Sequence, residues 1–140
     1  MQTDTREGTF RVLAGEDLTD KKGFLVALTH DTGVPEVKLP TSTGDYALYL
    51  VDDDGADAAL VDVEPVCGPR NVRVKLKGTC NPGEVLVLAD TGTAADKGKV
   101  RALPAAAGTY RGLAIAEEKG VDGQLVLCRP ALIGPITVSE

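Results

Sequence analysis

The amino-acid sequence predicts an all-β fold, a compact small barrel or sandwich with at most one or two short helical turns. Three observations predict it. Sixteen Gly and eight Pro interrupt the 140 residues too often for long helices. Apolar and polar residues alternate at the period of a strand, and no window repeats convincingly every 3.6 residues. Aromatics are 4% of the chain and Trp is absent, so the core has to be built from Val, Leu and Ala, which suits thin β-layers. The length accommodates one domain with a real core and not two. The expected organisation is a flexible arm over residues 1–9 and a single β domain over 10–140.

Taken in order, Phe10-Arg-Val-Leu13 reads as the first strand. A polar loop over residues 15–23, with a candidate helical turn inside it, leads to Phe24-Leu-Val-Ala-Leu-Thr29. Asp31-Thr-Gly33 turns the chain into Glu36-Val-Lys-Leu39. Pro35 is expected to confine this second strand to a sheet edge, because proline has no N–H for a ladder. Residues 45–51 form the next strand. The acidic run Asp52-Asp-Asp-Gly-Ala-Asp57 turns it back through Leu60-Val-Asp-Val-Glu64, with Val61 and Val63 on one face.

Residues 71–129 organise the remainder. Val72, Val74 and Leu76 alternate with Arg73, Lys75 and Lys77, three apolar side chains against three cations. Asn81-Pro-Gly83 turns into Glu84-Val-Leu-Val-Leu-Ala89. Lys99-Val-Arg-Ala-Leu103, Thr109-Tyr-Arg-Gly-Leu-Ala-Ile-Ala116 and Gln124-Leu-Val-Leu-Cys128 follow as strands, with a second candidate helical turn near Leu103-Pro-Ala-Ala-Ala107. The tail over residues 131–140 is apolar but broken at Gly134-Pro135. It reads as a last edge strand or as a segment packed on a neighbouring subunit.

The formal charge of −6 argues against nucleic acid or an anionic membrane as partner, because phosphate repels such a surface. The one basic candidate is the face carrying Arg70, Arg73, Lys75 and Lys77, and a solvated face is the favoured reading of it. Apolar runs are too short to span a bilayer, and the polar first residues carry no signal-peptide pattern. The expectation is therefore a soluble protein made in a cytoplasm. Cys67, Cys80 and Cys128 cannot all pair with one another and lack zinc spacing; buried free thiols are expected, with one disulfide as the alternative.

No catalytic constellation is legible. His30 is the only imidazole, and the only serines, Ser42 and Ser139, lack the surroundings of a nucleophile. The acidic run fails as an EF-hand, because Leu50 and Val61 fall where ligands belong; a weak cation site of Asp52, Asp54 and Asp57 is the minority reading against a solvated turn. Lys97 follows Asp96 in a turn between strands, as the modified Lys of a barrel-sandwich carrier does. A carrier or small-ligand module is therefore the alternative function. No enzyme, cofactor or metal is expected.

The order of the parts carries more than any motif. Asn71-Val-Arg-Val-Lys-Leu-Lys-Gly78, Asn81-Pro-Gly-Glu-Val-Leu-Val-Leu88, Tyr110-Arg-Gly-Leu-Ala-Ile-Ala116 and Asp122-Gly-Gln-Leu-Val-Leu127, opened by Ala14-Gly-Glu-Asp-Leu-Thr-Asp-Lys-Lys-Gly-Phe-Leu-Val-Ala-Leu28, resemble the phage capsid decoration (cement, head-stabilising) proteins, formerly a domain of unknown function. Residues 41–68 depart most from that family. The resemblance implies a compact β protein on the outer surface of an assembled icosahedral head, bound to the major capsid protein. It implies a symmetric homo-oligomer, trimer favoured over dimer. Two surfaces are then expected to carry contacts. The arm residues Gln2, Thr3, Asp4, Thr5, Arg6, Glu7 and Thr9 would order on the capsid, for example by adding a strand to an exposed edge. Leu132, Ile133, Ile136 and Val138 would bury against a sister subunit, because so apolar a tail is unfavourable in water.

Overall fold

The computed structural model describes residues 8–67 and 69–140 and is all-β. The arm residues 2–7 lie outside the described residues; Thr9 is exposed just before the first strand. Five strands, β1 (Phe10–Ala14), β2 (Leu25–Thr29), β3 (Glu36–Lys38), β4 (Tyr49–Asp53) and β5 (Leu60–Pro65), close into a barrel in the order β1-β3-β2-β4-β5. Five more, β6 (Val72–Lys75), β7 (Val85–Leu88), β8 (Val100–Ala102), β9 (Gly108–Ala116) and β10 (Leu125–Val138), form a second sheet ordered β6-β10-β9-β7-β8.

Alternation explains which faces are buried. Val61 and Val63 point into the barrel with Val12, Val26, Val37 and Val51, and Leu18 from the preceding loop joins them. That loop is therefore less polar in its packing than its composition suggests. Val72, Val74 and Leu76 point into a second cluster, where Leu25, Ala47, Leu50 and Val66 of the barrel meet Leu86, Leu88, Val100, Leu113 and Val126 of the sheet. The barrel and the sheet thus share one apolar layer. Two main-chain bonds tie them further, from Leu25 N–H to the Gly98 carbonyl (2.8 Å) and from Lys75 N–H to the Gly23 carbonyl (2.8 Å).

Several expectations need correction. β3 is not an edge strand, for it pairs with β2 antiparallel and with β1 parallel. Pro35 precedes the strand and so removes no ladder bond, which is why closure tolerates it. The strand expected over 45–51 begins only at Tyr49 and runs into the acidic stretch, with Asp53 opposite Asp62. Neither candidate helical turn forms; among the described residues the one 3₁₀ turn is Ala94–Asp96, held by the Asp96 N–H to Thr93 carbonyl bond (3.0 Å). The tail is a strand paired on one side only, in line with the edge-strand reading, but it continues β10 instead of standing alone. Gly134-Pro135 does not stop β10, which runs from Leu125 to Val138 and pairs with β9 from Cys128 onward. A bulge between Pro130 and Gly134 absorbs the irregularity instead.

The second sheet contains an internal repeat. Leu76 N–H donates to the Gln124 carbonyl (2.9 Å) and Ala116 N–H donates to the Glu84 carbonyl (2.9 Å). Gly123 N–H donates to Leu76 and Gly83 N–H to Ala116 (2.9 and 2.8 Å), while Cys80 and Gly120 exchange both of their main-chain bonds. Glu84 and Gln124 each accept, through the side chain, the N–H three residues back, at Asn81 and Val121. Gly83 and Gly123 take the same left-handed turn position, with φ of 88° and 81°. Two copies of one strand–turn–strand unit are therefore related by a local twofold axis through the Cys80–Gly120 bridge.

All three cysteines are free thiols. Cys80 and Cys128 are buried as expected, but Cys67 is exposed. Burial pushes the Cys128 thiol up to about 12, assisted by Glu117, and burial likewise raises Cys80. Thiolate is the reactive form, so a colorimetric thiol titration of native protein at pH 8 is expected to show one fast group, Cys67, and three in denaturant. Two fast native thiols would contradict this packing.

Candidate interaction surface

Of the four cations on the candidate basic face, three are held by carboxylates, and half-buried Lys75 has no ion-pair partner among the described residues. Arg73 pairs with Glu118 (2.9 Å), Lys77 with Asp96 (3.3 Å), and Arg70 with Glu64 (3.3 Å). Asp96 also holds Lys99 (2.9 Å); its hydrogen bond to Lys99, and a further one to Lys77, keep its carboxyl below the ordinary range. Glu118 is held low in the same way, first by the Leu127 N–H (3.0 Å) and then by Arg73. These networks fasten loops to the sheet. A cleft of about 400 Å³ lies between barrel and sheet and is lined by Leu50, Glu64, Arg70, Arg73 and Leu127, among others. Its two arginines are the ones already paired.

The other sequence candidates are scattered. Among the described residues, no three His, Cys, Asp or Glu groups converge as a metal site would require, so Asp52, Asp54 and Asp57 are not brought together. Asp54 instead accepts the Asp20 N–H. His30 is exposed at the end of β2, and no hydrogen bond links its ring to Ser42 or Ser139 among the described residues. Lys97 is half-buried directly after the 3₁₀ turn, against the barrel contact made by Gly98. An attachment lysine needs an exposed hairpin tip, and this position is not one.

What does stand out is the outer part of the β9–β10 ribbon. β7 pairs with β9 only as far as Gly112, and β6 pairs with β10 only through Cys128. Residues 108–111 and 134–138 therefore have only each other as ladder partners. A two-stranded ribbon of this kind is marginal by itself. Yet it carries Leu132 at 56% exposure and Ile133 at 46%, with Ile136 and Val138 half-buried. All four tail residues singled out in the sequence lie in this one strand.

The bulge decides where they point. Ile133 and Ile136 close over Gly112, where a Cβ would stand 2.9 Å from the Ile133 Cβ and 3.2 Å from the Ile136 Cδ1. Leu132 instead lines a notch of about 120 Å³ with Tyr46, Leu48 and Arg111. Tyr46 is 65% exposed, and the Arg111 guanidinium lies over its ring at 4.1 Å. Arg101 lies over Tyr110 at 5.9 Å. Among the described residues, Arg11, Arg70, Arg73 and Arg129 each pair with a carboxylate, whereas Arg101 and Arg111 have tyrosine faces instead. The Nε of each is buried without a hydrogen-bond partner. An exposed Tyr46, a half-buried Arg111 and exposed Leu132 in one place have the composition of a protein–protein contact core.

The apolar tail was legible in the sequence. The Tyr46–Arg111 pair was not, because nothing local in either segment announces the other. No known protein family matches the chain, and no curated protein matches it.

Proposed function

We propose that the protein is a structural decoration (cement) protein of a phage capsid, bound to the major capsid protein on the outer surface of the assembled head. The observation that carries the reading is the apolar β9–β10 ribbon, which leaves a well-packed all-β body without partners of its own. The resemblance of residues 14–28 and 71–127 to the decoration family supports it. In this reading Leu132, Ile133, Ile136 and Val138 bury against sister subunits of a homo-oligomer, trimer favoured over dimer. Gln2, Thr3, Asp4, Thr5, Arg6, Glu7 and Thr9 engage the shell.

The mechanism is mass action. A ligand that binds only the assembled lattice stabilises it against the outward push of packaged DNA. An oligomer gripping several shell subunits at once gains further through effective concentration. The acidic net charge, −6, keeps such a protein off the nucleic acid released during packaging.

Mixing the purified protein with undecorated heads tests this, with saturable, stoichiometric binding as the expected result. Removing residues 1–9 is expected to abolish that binding while leaving the thermal midpoint within about 2 °C, since surface changes outside the core cost little. Full binding by the shortened chain would remove the arm from the mechanism. No binding by the intact chain to any head would remove the function.

A further inference from the structure

We propose that the notch beneath Leu132 seats the far end of a second copy's ribbon, with that copy's Val138 in the apolar space and its Glu140 on Arg111. The inference rests on the oligomer reading above and gives that contact a geometry.

Among the described residues Arg111 has no carboxylate and its Nε is buried without a partner, in a chain with more acids than cations. Buried donors of this kind are ordinarily satisfied. The notch around it is otherwise apolar, walled by Tyr46, Leu48 and Leu132. An aliphatic side chain followed closely by a carboxylate fits both features. The end of β10 offers that pattern, Val138 and then exposed Glu140, for which no cation partner is present among the described residues.

The contact has to be made in trans. Val138 pairs with Gly108, whereas the notch lies at Gly112 and Gly134. Four residues of strand separate the two places, about 14 Å along the ladder, so a chain's own ribbon end cannot fold into its own notch. Two notches cannot face each other either, because Arg111 would meet Arg111. The contact is therefore ribbon end to notch, made twice reciprocally in a twofold dimer or head to tail around a closed ring. Pro130 and Pro135 lie in β10 and lack an N–H, which disfavours extension of the sheet along its outer edge and leaves side chains to make the contact.

Sedimentation velocity of the full chain across a concentration series tests the seating. Arg111→Glu and Glu140→Arg are each expected to weaken self-association about tenfold, and the chain carrying both to return within about threefold of the parent, as a reversed ion pair should. Circular dichroism checks that each variant folds, and Arg111→Gln replaces Arg111→Glu if the latter does not. Losses that simply add in the double variant overturn the proposal. So does an oligomer that Ile133→Asp dissociates but that is indifferent to Arg111 and Glu140; that result leaves the oligomer reading standing. A parent chain that stays monomeric at every concentration overturns both.

Discussion

Truncating Leu76 to alanine is expected to lower the unfolding free energy by about 2–5 kcal/mol, a large share of the roughly 5–15 kcal/mol typical of a domain. Leu76 is fully buried at the meeting of barrel and sheet. Its main chain donates to Gln124 and accepts from Gly123, so the backbone is pinned and cannot follow the lost side chain into the gap. The cavity opens over Gly120, where a Cβ would stand 2.5 Å from the Leu76 Cδ2. That contact gives the prediction a second arm. Gly120→Ala alone overpacks and is expected to cost about 1–3 kcal/mol. In the Leu76→Ala background the same methyl enters the cavity and costs at least about 1 kcal/mol less. Urea denaturation of the four chains measures this, and strictly additive losses would mean that the two residues do not share the space described.

Gly98→Ala is expected to be the most damaging single methyl among the described residues. Gly98 has φ of 85°, where an L-residue is strained by roughly 1–2 kcal/mol. Its Cβ would also stand 2.7 Å from the Leu25 carbonyl oxygen and 3.0 Å from the Leu39 Cδ2. Leu25 is the residue whose N–H donates to the Gly98 carbonyl, so pushing the two chains apart weakens a link between barrel and sheet. Strain and a damaged hydrogen bond together come to about 3 kcal/mol, or roughly a 10 °C fall in the thermal midpoint at this size. Gly78→Ala is the control. Gly78 has φ of 79° but nothing within 4 Å of its Cβ, so it reports the backbone strain alone. Equal losses at Gly78 and Gly98 would show that the contact with Leu25 yields without cost.

Individual strands were easier to read than their partners. Val61 and Val63, or Val72, Val74 and Leu76, alternate so regularly that strand and buried face follow from the period of two. Barrel closure did not follow, because it depends on β1 pairing with β3 in parallel and with β5 across long loops, and no local pattern encodes either register. Pro35 misled by lying just outside its strand, and Gly134-Pro135 by lying in a strand with a bulge before it. The repeat is visible once the axis is known. Gly83-Glu-Val-Leu-Val-Leu88 corresponds in the repeat to Gly123-Gln-Leu-Val-Leu-Cys128, but Leu, Val and Gly are too common for the likeness to show unaided. Of the interaction surface, composition revealed the apolar half. The arginine half needed three dimensions, since Arg111 is separated from Tyr46 by most of the second sheet's chain.

The twofold relation within the second sheet has a kinetic consequence. Each turn hydrogen-bonds to the strand preceding the other, so neither unit can complete its own pairing before its counterpart arrives. A half-formed sheet would leave main-chain groups of both units facing apolar surroundings, which makes such a species costly and short-lived. The two units are therefore expected to order together and to come apart together. Loosening the chain at Gly83 would be felt around Gly123 as promptly as at the site of the change.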